Sequence, residues 1–265
     1  MRWLILLLFT FPIFGSYVGN PASPAIMNMG IFSGPSPFFK FTSGYLADYT
    51  SNKGFSSCDA NGKADEVQTF HNFGIHSQMA TASAIFVERF EFFGAAGGSK
   101  EHAKWDNNPS YQDVIKIVQD FDSSYTFSWG LGCKAILIKW WQTYLGADFT
   151  YFDIPANHQS YFKFLNRLNL QLEPEKQTFS MREWQFSLGL SSRLWIFTPY
   201  GGVTYLNSKL HIHSSDDVPS LYYKNAENFG YFYGLTLSLT GRFHVNFERR
   251  VRDEFAYSLA GIAVF

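Results

Sequence analysis

The sequence predicts an all-β protein, a transmembrane antiparallel up-and-down outer-membrane β-barrel of about 10 strands, within a range of about 10–14. Three observations carry that expectation. The chain closes on Phe255 to Phe265, an alternating segment in which Tyr257, Leu259, Gly261, Ala263 and Phe265 share one face, and a strand ending on an aromatic is read as a barrel assembly signal. It opens on Arg2 and an apolar run from Trp3 to Phe14 that leads into Gly15 and Ser16, the pattern of a signal peptide. Between the two, 19% aromatic and 16% charged residues coexist with a mean hydropathy of -0.12. A bilayer must then be crossed by strands that alternate apolar and polar residues, because no later segment is apolar enough for a spanning helix.

The domain reading follows. Residues 1–16 are expected to be removed after Gly15 or Ser16. About a dozen apolar residues interrupted by Pro12 fall short of the roughly 20 that a helix needs to span a bilayer. No cysteine stands at the cut to take a lipid. Residues 17–265 lack a linker, a low-complexity tract or an internal repeat, which favours one domain. A net charge of -1 argues against a nucleic-acid partner.

The alternation is plainest at 38–49, where Phe39, Phe41, Tyr45, Ala47 and Tyr49 oppose Lys40, Thr42, Gly44 and Asp48. A long segment at 65–86 carries Gln68, His76 and Gln78 among Phe73, Ile75 and Met79, and its partner at 90–98 follows a short turn. Residues 124–138 and 141–153 form a tight hairpin, with Thr126, Ser128 and Lys134 on the polar face of one arm and Asp148 and Thr150 on that of the other. Residues 181–195 set Trp184, Phe186, Leu188 and Leu190 against Gln185, Ser187, Ser191 and Arg193, and Pro199 marks the start of the next strand at 200–212. Two further strands occupy 228–240 and 243–252 before the last. The count is ten, even as in single-chain bacterial barrels. Short connections near 87–89, 139–141, 196–198 and 240–242 alternate with long polar ones near 51–64, 100–121, 154–179 and 213–228, the asymmetry of periplasmic turns and outside loops. Segments 114–121 and 161–172 leave open a further strand pair or a loop helix.

Enzymatic constellations are weak. His211 and His213 near Asp216 and Asp217 read as a solvated edge, since no further ligand is fixed by spacing. The run Gly94 to Gly98 lacks the Gly-Lys-Ser/Thr ending of a phosphate loop, and no nucleophile elbow is present. The expectation is a protein that is not an enzyme and needs no cofactor or metal. Two cysteines build no disulfide framework: Cys58 is placed in an exposed loop, where an intermolecular bond and a lone thiol both remain open, and Cys133 on an apolar strand face.

The informative set is the polar face. Lys40, Asp48, His76, Lys134, Asp148, Arg193, Arg242, His244, Glu248 and Arg250 alternate with apolar neighbours and are the candidate pore-lining residues. Arg193, Arg242 and Arg250 outnumber Glu248 on the final strands and would favour anions. Arg249 is out of phase and is expected to snorkel to the headgroups. Two readings stand side by side. One is a porin passing small hydrophilic solutes or ions; the other is a non-conducting scaffold, adhesin or protease whose lumen is plugged by salt bridges. Eight strands leave an interior just filled by side chains and about sixteen leave a generous channel, so ten strands permit either.

Several segments also resemble the chlamydial major outer membrane porin family: Val18-Gly19-Asn20-Pro21-Ala22-Ser23-Pro24, Gly44 to Tyr49, Phe86 to Ala95, the Tyr125 to Phe149 hairpin, Trp184 to Leu194, Thr198 to Val203 and Phe247 to Phe265. Their order along the chain carries the likeness. It implies an outer-membrane porin that meets lipid and the barrel assembly machinery, forms a homo-oligomer and passes small hydrophilic solutes. This chain departs from the family in its trimmed loops and in having two cysteines, too few for that family's cross-linked network.

Overall fold

A computed structural model describes residues 17–27, 38–58, 64–107, 117–165, 175–213, 221–239, 241–252 and 254–265. The expected signal peptide, residues 1–16, lies outside them. The described strands are β1 (Phe39–Cys58), β2 (Ala64–Phe86), β3 (Phe90–Asn107), β4 (Ile117–Asp122), β5 (Thr126–Trp140), β6 (Thr143–Leu165), β7 (Glu175–Ser192), β8 (Phe197–His213), β9 (Leu221–Asn225), β10 (Phe229–Leu239), β11 (Phe243–Val251) and β12 (Phe255–Val264). One helical turn, α1 (Ser23–Ile26), precedes them.

Every pairing is antiparallel, and the sheet closes on itself. At the end that carries the short turns, ten strands form the ring: β1, β2, β3, β5, β6, β7, β8, β10, β11 and β12. At the other end β4 takes the place of β5 between β3 and β6, and β9 pairs with both β8 and β1. The β11–β12 hairpin stops below this level, so β9 passes over it and the wall narrows to eight strands. The ten-strand count from the sequence therefore holds for the lower barrel, and the upper part is an eight-strand collar.

Inside and outside alternate as a pleated sheet requires. On β7, Met181, Glu183, Gln185, Ser187, Gly189 and Ser191 are buried while Arg182, Trp184, Phe186, Leu188 and Leu190 are exposed. Phe92, Leu131, Leu190 and Phe247 belong to the exposed band. Trp140, Trp141 and Trp195 cluster at the short turns, and Trp129, Tyr151, Trp184, Tyr205 and Tyr257 lie toward the other edge. A closed barrel with an apolar belt between two aromatic girdles is an outer-membrane protein, because closure leaves no backbone edge in lipid. The turn of β2 into β3 is tight, with Val87 at φ 49° and Glu88 at φ 54°.

Much of what reads as long polar loop is strand. β2 and β6 each run for 23 residues, about twice the 9–11 that cross a bilayer. Outside the hydrocarbon the outer face meets water, so the apolar-out alternation that marks a membrane strand is lost. β4 begins at Ile117, within segment 114–121, and ends at Asp122, and β6 continues to Leu165; residues 108–116 and 166–174 lie outside the description. Cys58 ends β1 rather than sitting in a loop, and it is not bonded to Cys133.

Closure runs through the last strand. β12 pairs with β1 from Ser51↔Phe255 to Thr42↔Val264, and the Phe265 N–H donates to the Phe41 carbonyl at 2.8 Å. Deleting Phe265 removes that bond, and surface levels of heat-modifiable protein are expected to fall, because the terminal aromatic with Tyr257 and Leu259 is the proposed assembly signal. Unchanged levels on gels of intact cells would contradict this role.

Candidate functional site

The lumen of the lower barrel is occupied by the chain's own N-terminal segment, Tyr17 to Met27. Its polar groups bond to wall side chains. The N–H groups of Val18 and Gly19 donate to the Glu248 carboxylate at 3.1 and 2.9 Å. The Asn20 amide donates to Thr236 Oγ1 at 2.7 Å and accepts from Ser191 Oγ at 2.7 Å. Ser23 donates to Glu91, which also accepts from Ser83. Tyr17 Oη accepts from the Asn246 amide, and the Lys134 ammonium lies 5.4 Å from the Tyr17 and Phe93 ring centroids. Ala22, Ile26 and Met27 pack on Ile85, Ile136, Tyr144 and Val264.

The wall is shaped for this segment. A Cβ on Gly146 would lie 2.6 Å from the Pro21 carbonyl oxygen, and one on Gly189 would lie 2.8 Å from Pro21 Cγ. Glycine inside a strand costs stability and side-chain packing, and close backbone approach is one reason a strand carries it. A cavity of about 70 Å³ remains beside the segment, reached by Ser23, Glu91, Lys134 and Asn246. That space suits a few waters rather than a solute, whose pockets usually measure about 300 Å³ or more.

Above the segment sits an ion cluster. Arg250 donates to both Asp48 oxygens at 2.9 and 3.0 Å, to Glu248 at 3.2 Å, to Glu254 at 2.7 Å and to Ser258 at 2.8 Å. Glu254 is shared with Lys53 at 3.1 Å, and Lys53 also pairs with Glu183, which accepts from Ser208. Arg250, Asp48, Glu248, Lys53 and Glu183 are all buried. Glu254, in the turn outside the strands, is pushed up by burial, but Lys53 and Arg250 outweigh this and hold it below the ordinary carboxylate range.

The collar then closes the column with an apolar cluster. Phe55 meets Phe73 edge-on at 5.0 Å, Phe73 stacks on Phe179 at 5.8 Å, and Ile212 and Tyr223 complete the packing. Eight strands leave an interior that side chains fill, so this level behaves as a core.

Of the candidate pore-lining residues, Lys40, Asp48, Lys134, Asp148, His244, Glu248 and Arg250 are buried in the interior. His76 is not. Inward residues of β2 are Phe73, Ile75, Ser77 and Met79, and His76 faces outward against Tyr49 with ring centroids 5.2 Å apart. The polarity rule reverses there because the collar's inside is core and its outside is water. Arg242 is exposed in the β10–β11 turn, and Arg193 is half-buried just beyond β7, so the expected trio with Arg250 is not assembled. The interior is acidic instead: the described buried charges are Lys40, Lys53, Lys134 and Arg250 against Asp48, Glu91, Glu101, Asp148, Glu183, Glu248 and Glu254. The three arginines that carry the expectation of an anion-attracting lumen are therefore not brought together.

Lys53, Glu91, Glu183 and Glu254 are absent from the sequence candidates. Lys53 is hidden by a bulge: Asn52 has φ 61°, the register shifts between Thr50 and Lys53, and the inward phase moves from even to odd numbers. Glu91 and Glu183 do obey period 2, so counting charges strictly by phase finds them.

No protein-family model matches the chain, and no curated protein matches it in sequence. Solved structures do resemble it. An outer membrane channel from Pseudomonas putida F1 has 9% identity and a TM-score of 0.43 over 87% of this chain and 97% of that one. The Ralstonia pickettii toluene transporter TbuX has 9% identity and a TM-score of 0.39 over 95% of each chain. The outer membrane protease OmpT from Escherichia coli has 12% identity and a TM-score of 0.38 over 85% and 93%. What these three are named for differs, and the likeness is one of barrel architecture.

Proposed function

We propose that this barrel is a porin-like channel for small hydrophilic solutes or ions, closed in this conformation by residues 17–27 below and by the ion cluster and apolar collar above them. The observation that carries the reading is that the bulkiest occupant of a polar lumen is a segment outside the wall. Its bonds to the barrel go to side chains, so it can leave without unpairing a strand. The acidic excess, with the unsatisfied acceptors Asn246 Oδ1 and Asp148 Oδ2, favours cations in the opened lumen. The resemblance to the chlamydial porins supports the same function, together with a homo-oligomer and use of the barrel assembly machinery.

A second reading rests on the collar. The Phe55, Phe73, Phe179 and Tyr223 cluster obstructs the outer mouth and suits a non-conducting scaffold or adhesin. Planar-bilayer conductance separates the two. The parent should conduct weakly, deletion of residues 17–27 should raise conductance several-fold with a cation-selective reversal potential, and Gly146→Val should move in the same direction by crowding Pro21. Silence in all three proteins, each heat-modifiable on gels, would support the scaffold.

A further inference from the structure

We infer that Arg249 and Arg252 hold the anionic headgroup of a phosphorylated outer-leaflet lipid at the outer end of the β11–β12 hairpin. Arg249 faces outward, opposite Tyr233 on β10 and Tyr257 on β12, in a membrane-spanning wall. Its guanidinium carbon lies 5.2 Å from the Tyr257 ring centroid, and no ion pair of Arg249 is present among the described residues. Two positions toward the membrane on the same face stands exposed Phe247; two positions away from it the strand ends at Val251. The charge therefore lies at the boundary of the apolar band, where an arginine is tolerated if its head reaches an anion.

The neighbourhood supplies that anion with donors. Arg252, exposed in the turn, lies with its guanidinium 5.9 Å from the Tyr231 ring centroid and donates to Tyr231 Oη at 3.3 Å. Its ion pair is Glu227, at 3.5 Å on an exposed edge, so the described cluster of two arginines and one glutamate keeps a positive charge. Tyrosines 231, 233 and 257 flank the two guanidiniums. Guanidinium planes match phosphate oxygens with paired donors, which a lysine does not reproduce. The hairpin ends below β9, which crosses to β1 at Phe55↔Asn225, and Arg249, half-buried, lies two residues from the end of its strand. A lipid fits better than a free phosphate because the apolar surface beside the charge, Phe247 and Leu259, would carry its chains.

The test uses the folded full-length barrel in detergent, titrated with mixed micelles of a diphosphorylated glycolipid or of zwitterionic phosphatidylcholine, with bound lipid read by native mass spectrometry. The parent should retain the phosphorylated lipid and not phosphatidylcholine. One arginine near a membrane surface is worth about 1 kcal/mol, so Arg249→Gln should weaken retention about fivefold, with Arg249→Lys between the two. Equimolar inorganic phosphate should not compete. Arg252→Gln, in an exposed turn, reads the same site should Arg249→Gln fail to give the heat-modifiable form. Equal retention by parent and glutamine variants, equal retention of phosphatidylcholine, or displacement by inorganic phosphate would each overturn the inference.

Discussion

Replacing Arg250 by glutamine is expected to destabilise the barrel by about 3–5 kcal/mol, the usual loss when one partner of a buried ion pair is removed. The guanidinium is fully buried and pairs with three carboxylates at once, those of Asp48, Glu248 and Glu254. Without it, Asp48 keeps two desolvated oxygens and no cation. Glu248 must still hold the N–H groups of Val18 and Gly19, in the segment that fills the lumen, on a carboxylate that has lost its counter-charge. Urea titration of parent and variant in one detergent measures the loss. Arg250→Gln/Asp48→Asn should recover part of it, because the second change removes an orphaned charge. A variant as stable as the parent would mean that the cluster does not hold the wall together. Acid should act in the same direction on Glu254. Its folded pKa is lowered, so its contribution is complete above the ordinary carboxylate value and is lost as the pH falls through the lower folded value.

The second large effect is on the lipid face. Leu188→Arg should cost about 2–4 kcal/mol, because the site lies near the middle of the apolar belt. On β7 it stands between Trp184 toward the outer girdle and Leu194 and Trp195 at the inner turn. Leu237→Arg, opposite Phe197 and two residues from the end of β10, should cost about 0–1 kcal/mol because its head reaches the inner interface. Unfolding of both variants in the same lipid vesicles checks the ranking. Equal costs would place the membrane differently along the strands.

Much of this is legible in the residues. Period-2 rows such as Trp184 to Leu190 name the outward face because lipid accepts one kind of side chain, and that constraint is local. The short turns at 87–89 and 240–242 show as breaks in the same rows. Legibility ends where the lipid ends. Polar strand extensions read as loops, and in the collar hydropathy assigns Phe73 and Ile75 to the outside and His76 to the inside, the reverse of their positions. The bulge at Asn52 hides Lys53 for a related reason, since one extra residue flips every later side chain.

The barrel class, the outward rows and the closing strand are therefore properties of the residue order alone, because each follows from contact with a uniform solvent, the bilayer. What fills the lumen was settled only by the closed chain. Tyr17 to Met27 against Gly146 and Gly189, Arg250 among three carboxylates, and β9 passing over the last hairpin to reach β1 are partnerships between residues far apart in the chain. Hydropathy records which solvent a residue meets; which residue it meets is fixed when the ring closes and sets its width.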